Sequence, residues 1–221
     1  MKKIILSSLL VLGACAPVAG PRGEMGPAAP AVVVAPVSSV DADIKALISD
    51  ENAYRVSLGQ PVLSAGLSCT LSTITGGDRI QASIAGHNTL TGISQVYAFT
   101  FMGEFNQANS NVNDGLNVLP QSLRPLYTNM YLLRCQGQIV IRETDYVPFE
   151  LTSDDGSVLY IDGVKVIDND NAHGAVKVTG VKQLRRGVHS FRLDFAQSGG
   201  GNQALILTSG NEPIANKFFA H

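Results

Sequence analysis

Two adjacent aspartates, Asp154 and Asp155 in the run Ser153-Asp154-Asp155-Gly156, are the residues of this 221-residue chain best suited by type and spacing to hold a hard cation. On an extended strand neighbouring side chains point to opposite faces, so both carboxylates can meet one ion only where the backbone turns. Calcium suits such a pair, because it takes six to eight oxygen ligands in loose geometry. The alternative is a strand turn with solvated or hydrogen-bonded carboxylates. Asp168-Asn169-Asp170-Asn171 lacks the spaced glycine and terminal glutamate of an EF-hand loop and reads as a turn between strands. His87, His173, His189 and His221 are scattered, without metal spacing or a nucleophile beside a base. His173 reads as a loop hydrogen-bonder and His189 as a strand residue. With no reactive constellation in the sequence, the chain reads as not an enzyme.

The elements that must position the aspartates follow from patterning. Leu67-Ser68-Cys69-Thr70-Leu71, Ile139-Val140-Ile141 and Phe191-Arg192-Leu193-Asp194-Phe195 alternate apolar and polar residues, as half-buried strands do. Asp162-Gly163 between Leu159-Tyr160-Ile161 and Val164-Lys165-Val166 is a hairpin signal, since a type I′ turn needs positive φ at both positions. The asparagine-rich stretch 105–120 reads as a long surface loop. Absent tryptophan, 22 glycines and 15% charged residues suit a loop-rich β protein. The fold class is therefore mainly β, an antiparallel β-sandwich or barrel over 61–221 preceded by one short α-helix over 39–60. Ser38 or Ser39 caps that helix, and Gly59 and Pro61 end it. Its apolar positions Val40, Ile44, Leu47, Tyr54 and Leu58 form a short heptad seam, which either docks on the following domain or builds a dimeric or trimeric coiled coil. Cys69 and Cys135, both in predicted strands, either bridge or remain two free thiols.

A formal net charge of −2 and an isoelectric point near 6.1 argue against a nucleic-acid or anionic-lipid surface. Met1-Lys2-Lys3 and the apolar run Ile4–Leu12 form a secretory signal over 1–14, too short to span a bilayer. Leu12-Gly13-Ala14-Cys15 resembles the lipobox of bacterial lipoproteins, which implies a lipid on Cys15 as the membrane anchor. Ordinary cleavage at the small-residue pattern Ala14-Cys15-Ala16 is the alternative. Within that family Ala16 after the cysteine favours the outer membrane, which places the domain in the cell envelope, periplasmic or surface-exposed. Residues 15–38 form a proline-rich tether. It holds three collagen-like triplets, Gly20-Pro21-Arg22, Gly23-Glu24-Met25 and Gly26-Pro27-Ala28, which serve as plain linker or help to form a homotrimer.

Several motifs together resemble the PA-fourteen domain, named for the protective antigen of anthrax toxin and found also in glycosidases and yeast flocculin-type adhesins. They are Arg134-Cys135-Gln136-Gly137, Tyr146-Val147-Pro148-Phe149-Glu150-Leu151, Ser153-Asp154-Asp155-Gly156 leading to Tyr160-Ile161-Asp162-Gly163, His173-Gly174 and Arg186-Gly187-Val188-His189. The resemblance is strong over 130–210 and weak over 63–129, and Cys135 replaces an aromatic common in the pattern. In the adhesin branch the two aspartates are joined by a cis peptide and hold Ca²⁺, with a second loop completing the shell. By position that loop is Gln197-Ser198-Gly199-Gly200-Gly201-Asn202, with Gln197 where the adhesins place an asparagine. The resemblance thus implies a metal site at Asp154, Asp155 and Gln197. It also implies a glycan-binding site that adds Gly199, Gly200, Gly201 and Asn202. The glycines let backbone carbonyls approach an ion or sugar closely. The function so read is a membrane-anchored envelope lipoprotein that binds carbohydrate or a glycosylated partner. The alternative is an assembly protein trimerised by its tether and heptads, with the sandwich as a cap.

Overall fold

Apolar and polar residues alternate along the strands and sort them into two packed sheets in the computed structural model, which describes residues 37–111, 114–127, 130–210, 212–213 and 218–220. The signal segment, Cys15 and the collagen-like triplets, all within 1–36, lie outside the described residues, as does His221. Helix α1 spans Val37–Ser57, so it begins and ends slightly before the expected 39–60. Gly59, at φ +69°, ends it, and Gln60 N–H donates back to Arg55 O at 2.9 Å. Of the heptad seam, Ile44 is buried, whereas Tyr54 and Leu58 are exposed. Asn52 Oδ1 accepts Leu63 N–H at 2.7 Å and ties the helix to the start of the β domain. Among the described residues no helix is long and apolar enough to cross a membrane.

The strands, in chain order, are β1 (Ser64–Ala65), β2 (Leu67–Thr73), β3 (Ser94–Phe101), β4 (Asn106–Asn111), β5 (Tyr131–Ile141), β6 (Asp145–Asp154) and β7 (Ser157–Ile161). They continue as β8 (Val164–Asn169), β9 (Val176–Leu184), β10 (Gly187–Gln197), β11 (Asn202–Ser209), β12 (Glu212–Pro213) and β13 (Phe218–Ala220). The larger sheet runs β1-β13-β5-β10-β7-β8, with β2 also on β5 and β3 on β2. The smaller runs β12-β11-β6-β9, with β4 also on β11. Among the described residues all pairings between these strands are antiparallel, as the patterning predicts.

Burial follows the period of two. Phe191, Leu193 and Phe195 of β10 and Leu133, Cys135 and Ile139 of β5 point inward, onto Phe149 and Leu151 of β6 and Leu205 and Leu207 of β11. Each large side chain so buried contributes about 1.5–3 kcal/mol. Cys69 and Cys135 are direct cross-strand partners on β2 and β5 and form a disulfide. Asp162 (φ 52°) and Gly163 (φ 70°) make the expected tight turn between β7 and β8.

Residues 105–120 are not the surface loop that their asparagines imply. Asn106–Asn111 form β4, paired to β11, and Phe105, Leu116, Val118 and Leu119 are buried in the core. An edge strand needs few apolar residues, so its polar composition resembles that of a loop.

Candidate functional site

Three connections between the strands meet at one end of the sandwich. Asp154 closes β6, and Ser157 opens β7 two residues after Asp155. The β8–β9 connection carries His173, and the β10–β11 connection, 198–201, crosses from the larger sheet to the smaller. The Asp154–Asp155 peptide is cis, as the resemblance implies. Ala196 N–H donates to Gly156 O at 2.8 Å, which brings the end of β10 alongside this turn. Gly156 is required sterically, because a Cβ there would lie 2.8 Å from the backbone of Asn171.

Asp155 fastens the three connections together. Its Oδ1 accepts the backbone N–H of His173 and its Oδ2 that of Ser198, both at 3.0 Å. A carboxylate that accepts two main-chain donors keeps free lone pairs on each oxygen for a further partner. Asp154 differs. It is 7% exposed, and its carboxylate has no hydrogen bond among the described residues. Burial pushes its carboxyl up from the ordinary value, the Asp155 charge adds to the rise, and His173 opposes it.

Gln197 lies at the end of β10, 1% exposed. Its Nε2 donates to Gly199 O at 2.8 Å and Asn202 O at 3.3 Å, closing the glycine loop on itself. Its Oε1 is buried without a hydrogen-bond partner among the described residues. At Gly199, Gly200 and Gly201 a Cβ would meet nothing within 4 Å, so that loop stands clear of the rest of the chain. The structure therefore gathers Asp155 and the 197–202 loop directly, and joins Asp154 to Asp155 through the cis turn.

Two carboxylates and an orphan amide oxygen make an all-oxygen donor set, the kind calcium prefers. They include only two acidic residues; among the described residues no group of three His, Cys, Asp or Glu side chains is placed to hold a metal. A calcium ion here would thus draw on the Gln197 amide oxygen, and its remaining ligands would be backbone carbonyls, water or ligand oxygens.

Beneath the turn lies a polar layer that the sequence did not disclose. Ser153 Oγ and Ser157 Oγ are 2.7 Å apart, and Asn169 Nδ2 donates to Ser153 Oγ at 2.8 Å and Val176 O at 3.0 Å. Tyr131, fully buried and in register with Gln197, donates its hydroxyl to Gln203 Oε1 at 2.9 Å. Burial and the Asp155 charge push the Tyr131 hydroxyl up, so it stays a donor. Alternation alone marks Ser157 and Gln203 as strand residues and carries no signal of their burial.

The other candidates take structural places. Asp170 accepts Ile80 and Gln81 N–H at 2.8 and 2.9 Å, and Asp168 accepts Gln81 Nε2 at 2.9 Å. The run is only partly the expected turn: Asp168 and Asn169 close β8, Asp170 and Asn171 follow it, and the two aspartates clamp the β2–β3 connection. The His173 ring contacts Gly174 O at 2.7 Å and Asn169 O at 2.9 Å, a loop role. His189, on β10, contacts Asp162 Oδ2 and Arg185 O, both at 2.8 Å.

The family model for the PA14 (PA-fourteen) domain matches residues 121–213, a span that contains every residue of the site above. Residues 121–213 are thus of PA14 type, a non-catalytic kind of module. Among solved structures it is similar to the PA14 domain of the antifreeze protein MpAFP, at 16% identity and a TM-score of 0.53, covering 72% of this chain and 93% of that one. It is also similar to a PA14 sugar-binding domain from an RTX adhesin, at 16% identity and a TM-score of 0.49, covering 67% of this chain and 93% of that one. A third is the epithelial adhesin 6 A domain of Candida glabrata in complex with Galβ1-3GlcNAc, at 14% identity and a TM-score of 0.48, covering 73% and 89%. No curated protein sequence matches the chain.

Proposed function

We propose that this PA14-type domain binds carbohydrate at the end of the sandwich where Asp154, Asp155 and residues 197–202 meet, through a calcium ion held by Asp154, Asp155 and Gln197. The observation that carries this reading is the Gln197 Oε1, buried and unpartnered beside a turn whose Asp154 carboxylate also lacks a hydrogen bond. A buried acceptor left without a donor costs about 1–3 kcal/mol, which a bound cation would relieve. Calcium supplies coordination positions that the hydroxyls of a sugar can take in place of water. The open space around Gly199, Gly200 and Gly201 would leave room for a ligand to approach the loop. The PA14 likeness of residues 121–213 supports carbohydrate as the ligand class. Calorimetric titration with CaCl₂, followed by a glycan array with and without calcium, tests the reading. Saturable calcium binding and calcium-dependent glycan signals support it; no heat with CaCl₂ and no loss of stability in chelator overturn it.

We propose further that the domain is presented on the cell envelope, at the outer membrane, by a lipid on Cys15 and the tether over 16–38. The support is the lipobox-like Leu12-Gly13-Ala14-Cys15 behind a short apolar signal. Metabolic labelling with an alkyne fatty acid is expected to mark the wild-type chain and not Cys15→Ser. Equal labelling of both would remove the anchor.

A further inference from the structure

The outer face of the larger sheet carries cross-strand rows of polar side chains. Register sets Gln136 of β5 opposite Arg192 of β10, and Arg192 opposite Tyr160 of β7. The flanking rows hold Gln138 opposite Ser190 and Arg134 opposite Asp194. Arg192 Cζ sits 3.9 Å from the centre of the Tyr160 ring, a cation–π contact that restrains the guanidinium over the ring.

The charges in these rows do not cancel. Asp194, 1% exposed, is gripped on both oxygens by Arg134, Nε to Oδ1 at 2.7 Å and Nη2 to Oδ2 at 2.9 Å. Arg192 Nε comes within 3.5 Å of the same carboxylate, but without the alignment of a hydrogen bond, and is buried with no hydrogen-bond partner among the described residues. Two guanidinium cations therefore share one carboxylate, and a positive charge is left over. Lys165, opposite Tyr160 on β8, is engaged by Gln81 and Asp168. A cavity of about 340 Å³ opens over the row, with Gln136, Gln138, Tyr160, Ser190 and Arg192 in its lining.

We propose that this groove is a second ligand site, one that takes an acidic sugar whose ring bears a carboxylate, as a uronate does. A guanidinium restrained over an aromatic ring, with charge left over, offers its forked donors to a ligand carboxylate. The Gln136 and Gln138 amides and the Ser190 hydroxyl both donate and accept, which matches ring hydroxyls. Two amides and a hydroxyl set around one guanidinium and one aromatic ring match a hydroxylated ring that carries a carboxylate, which favours a sugar over an acidic peptide. None of Asp154, Asp155 or Gln197 takes part, so the site stands apart from the calcium reading.

Calorimetric titration of the full chain with trigalacturonate, at low ionic strength and in excess chelator, tests this. The expected result is saturable binding that persists in chelator and weakens about tenfold or more in Arg192→Gln. The methyl ester of the same trisaccharide, which lacks the charge, is expected not to bind. Should R192Q fail to fold by thermal melting, Gln136→Ala combined with Gln138→Ala is expected to weaken binding instead. Absence of wild-type binding, unchanged affinity in the folded variants, or equal affinity for the methyl ester overturns the site. Polyglutamate bound as tightly as trigalacturonate overturns the assignment to a sugar.

Discussion

One carboxylate oxygen of Asp155 accepts the main-chain N–H of Ser198 at 3.0 Å, which fastens the connection after β10 to the cis turn after β6. The other oxygen holds His173 N–H at the same distance, so a single side chain joins three connections. Anything that binds at Asp154–Asp155 therefore also bears on the order of the loops around it. A ligand specific to the folded state stabilises it by about 2.7 kcal/mol at one hundred times its Kd. Saturating CaCl₂ is expected to raise the melting temperature of the wild-type chain, and MgCl₂ to do so less, since magnesium demands stricter geometry. Asp154→Asn should abolish the calcium shift. A shift that survives in D154N would place the ion elsewhere.

Gln197 is expected to contribute an oxygen, and its substitutions separate that role from loop closure. Gln197→Ala removes the orphan Oε1 together with the donors to Gly199 O and Asn202 O. Calcium affinity should fall about tenfold, the worth of roughly one charge-assisted contact. Gln197→Glu keeps an oxygen and adds charge, and should hold calcium at least as tightly as wild type. Isothermal titration of both variants checks the pair, and equal affinity in Q197A would remove Gln197 from the ligand set.

The bond between Cys69 and Cys135 spans 66 residues of sequence. In the chain-entropy account, closing a loop of that length stabilises the fold by about 4 kcal/mol. The double variant C69A/C135A is expected to lose stability on that order in urea unfolding. A loss below about 1 kcal/mol would show that the bridge is not a main support of β2 on β5.

Arg134 is the partner that keeps Asp194 satisfied on the outer face, at 2.7 and 2.9 Å. Removing one member of a fully buried pair costs about 3–5 kcal/mol. The Arg134 side chain is 41% exposed, so solvent screening reduces the figure, to about 2 kcal/mol in Arg134→Ala. A double-mutant cycle with Asp194→Asn isolates the coupling, and a coupling near zero would make the bidentate contact incidental.

Acid should loosen the clamp on the β2–β3 connection. Burial alone would push the Asp168 carboxyl up, but hydrogen bonds from Lys165 and Gln81 outweigh it and hold the group below its ordinary value of 3.8. A lowered folded-state value means stabilisation that is present above the unfolded-state value and lost as pH falls through the folded one. Stability compared between pH 5 and pH 3 should therefore drop more in wild type than in Lys165→Met, where the hold on Asp168 is weakened. Parallel pH profiles for the two would contradict this.

What the sequence disclosed and what it hid divide along the range of the interactions. The Asp162–Gly163 turn, the alternation of Phe191, Leu193 and Phe195, and the Gly59 helix stop are local, fixed by a few neighbouring residues, and legible from them. Asp154–Asp155 stands out by residue type, but its partnership with residues 197–202 is legible only through the resemblance, because chain spacing says nothing about two loops 43 residues apart sharing a hydrogen bond. Polar residues in strands, such as Ser157, Asn169 and Gln203, look solvent-facing until their partners are known, yet all three are buried. The reverse error at 105–120 has the same root: asparagines on an edge strand and asparagines in a loop read alike.

The contacts that hold Asp155 in place come from main-chain N–H groups, at His173 and Ser198, and every residue except proline offers one. The identities of the side chains at those two positions and at 199 and 200 are therefore nearly uncoupled from the integrity of the frame, whereas Gly201, at φ +124°, favours glycine. A lineage could exchange those loop residues, and with them its ligand preference, while inheriting the aspartate pair and the sandwich unchanged.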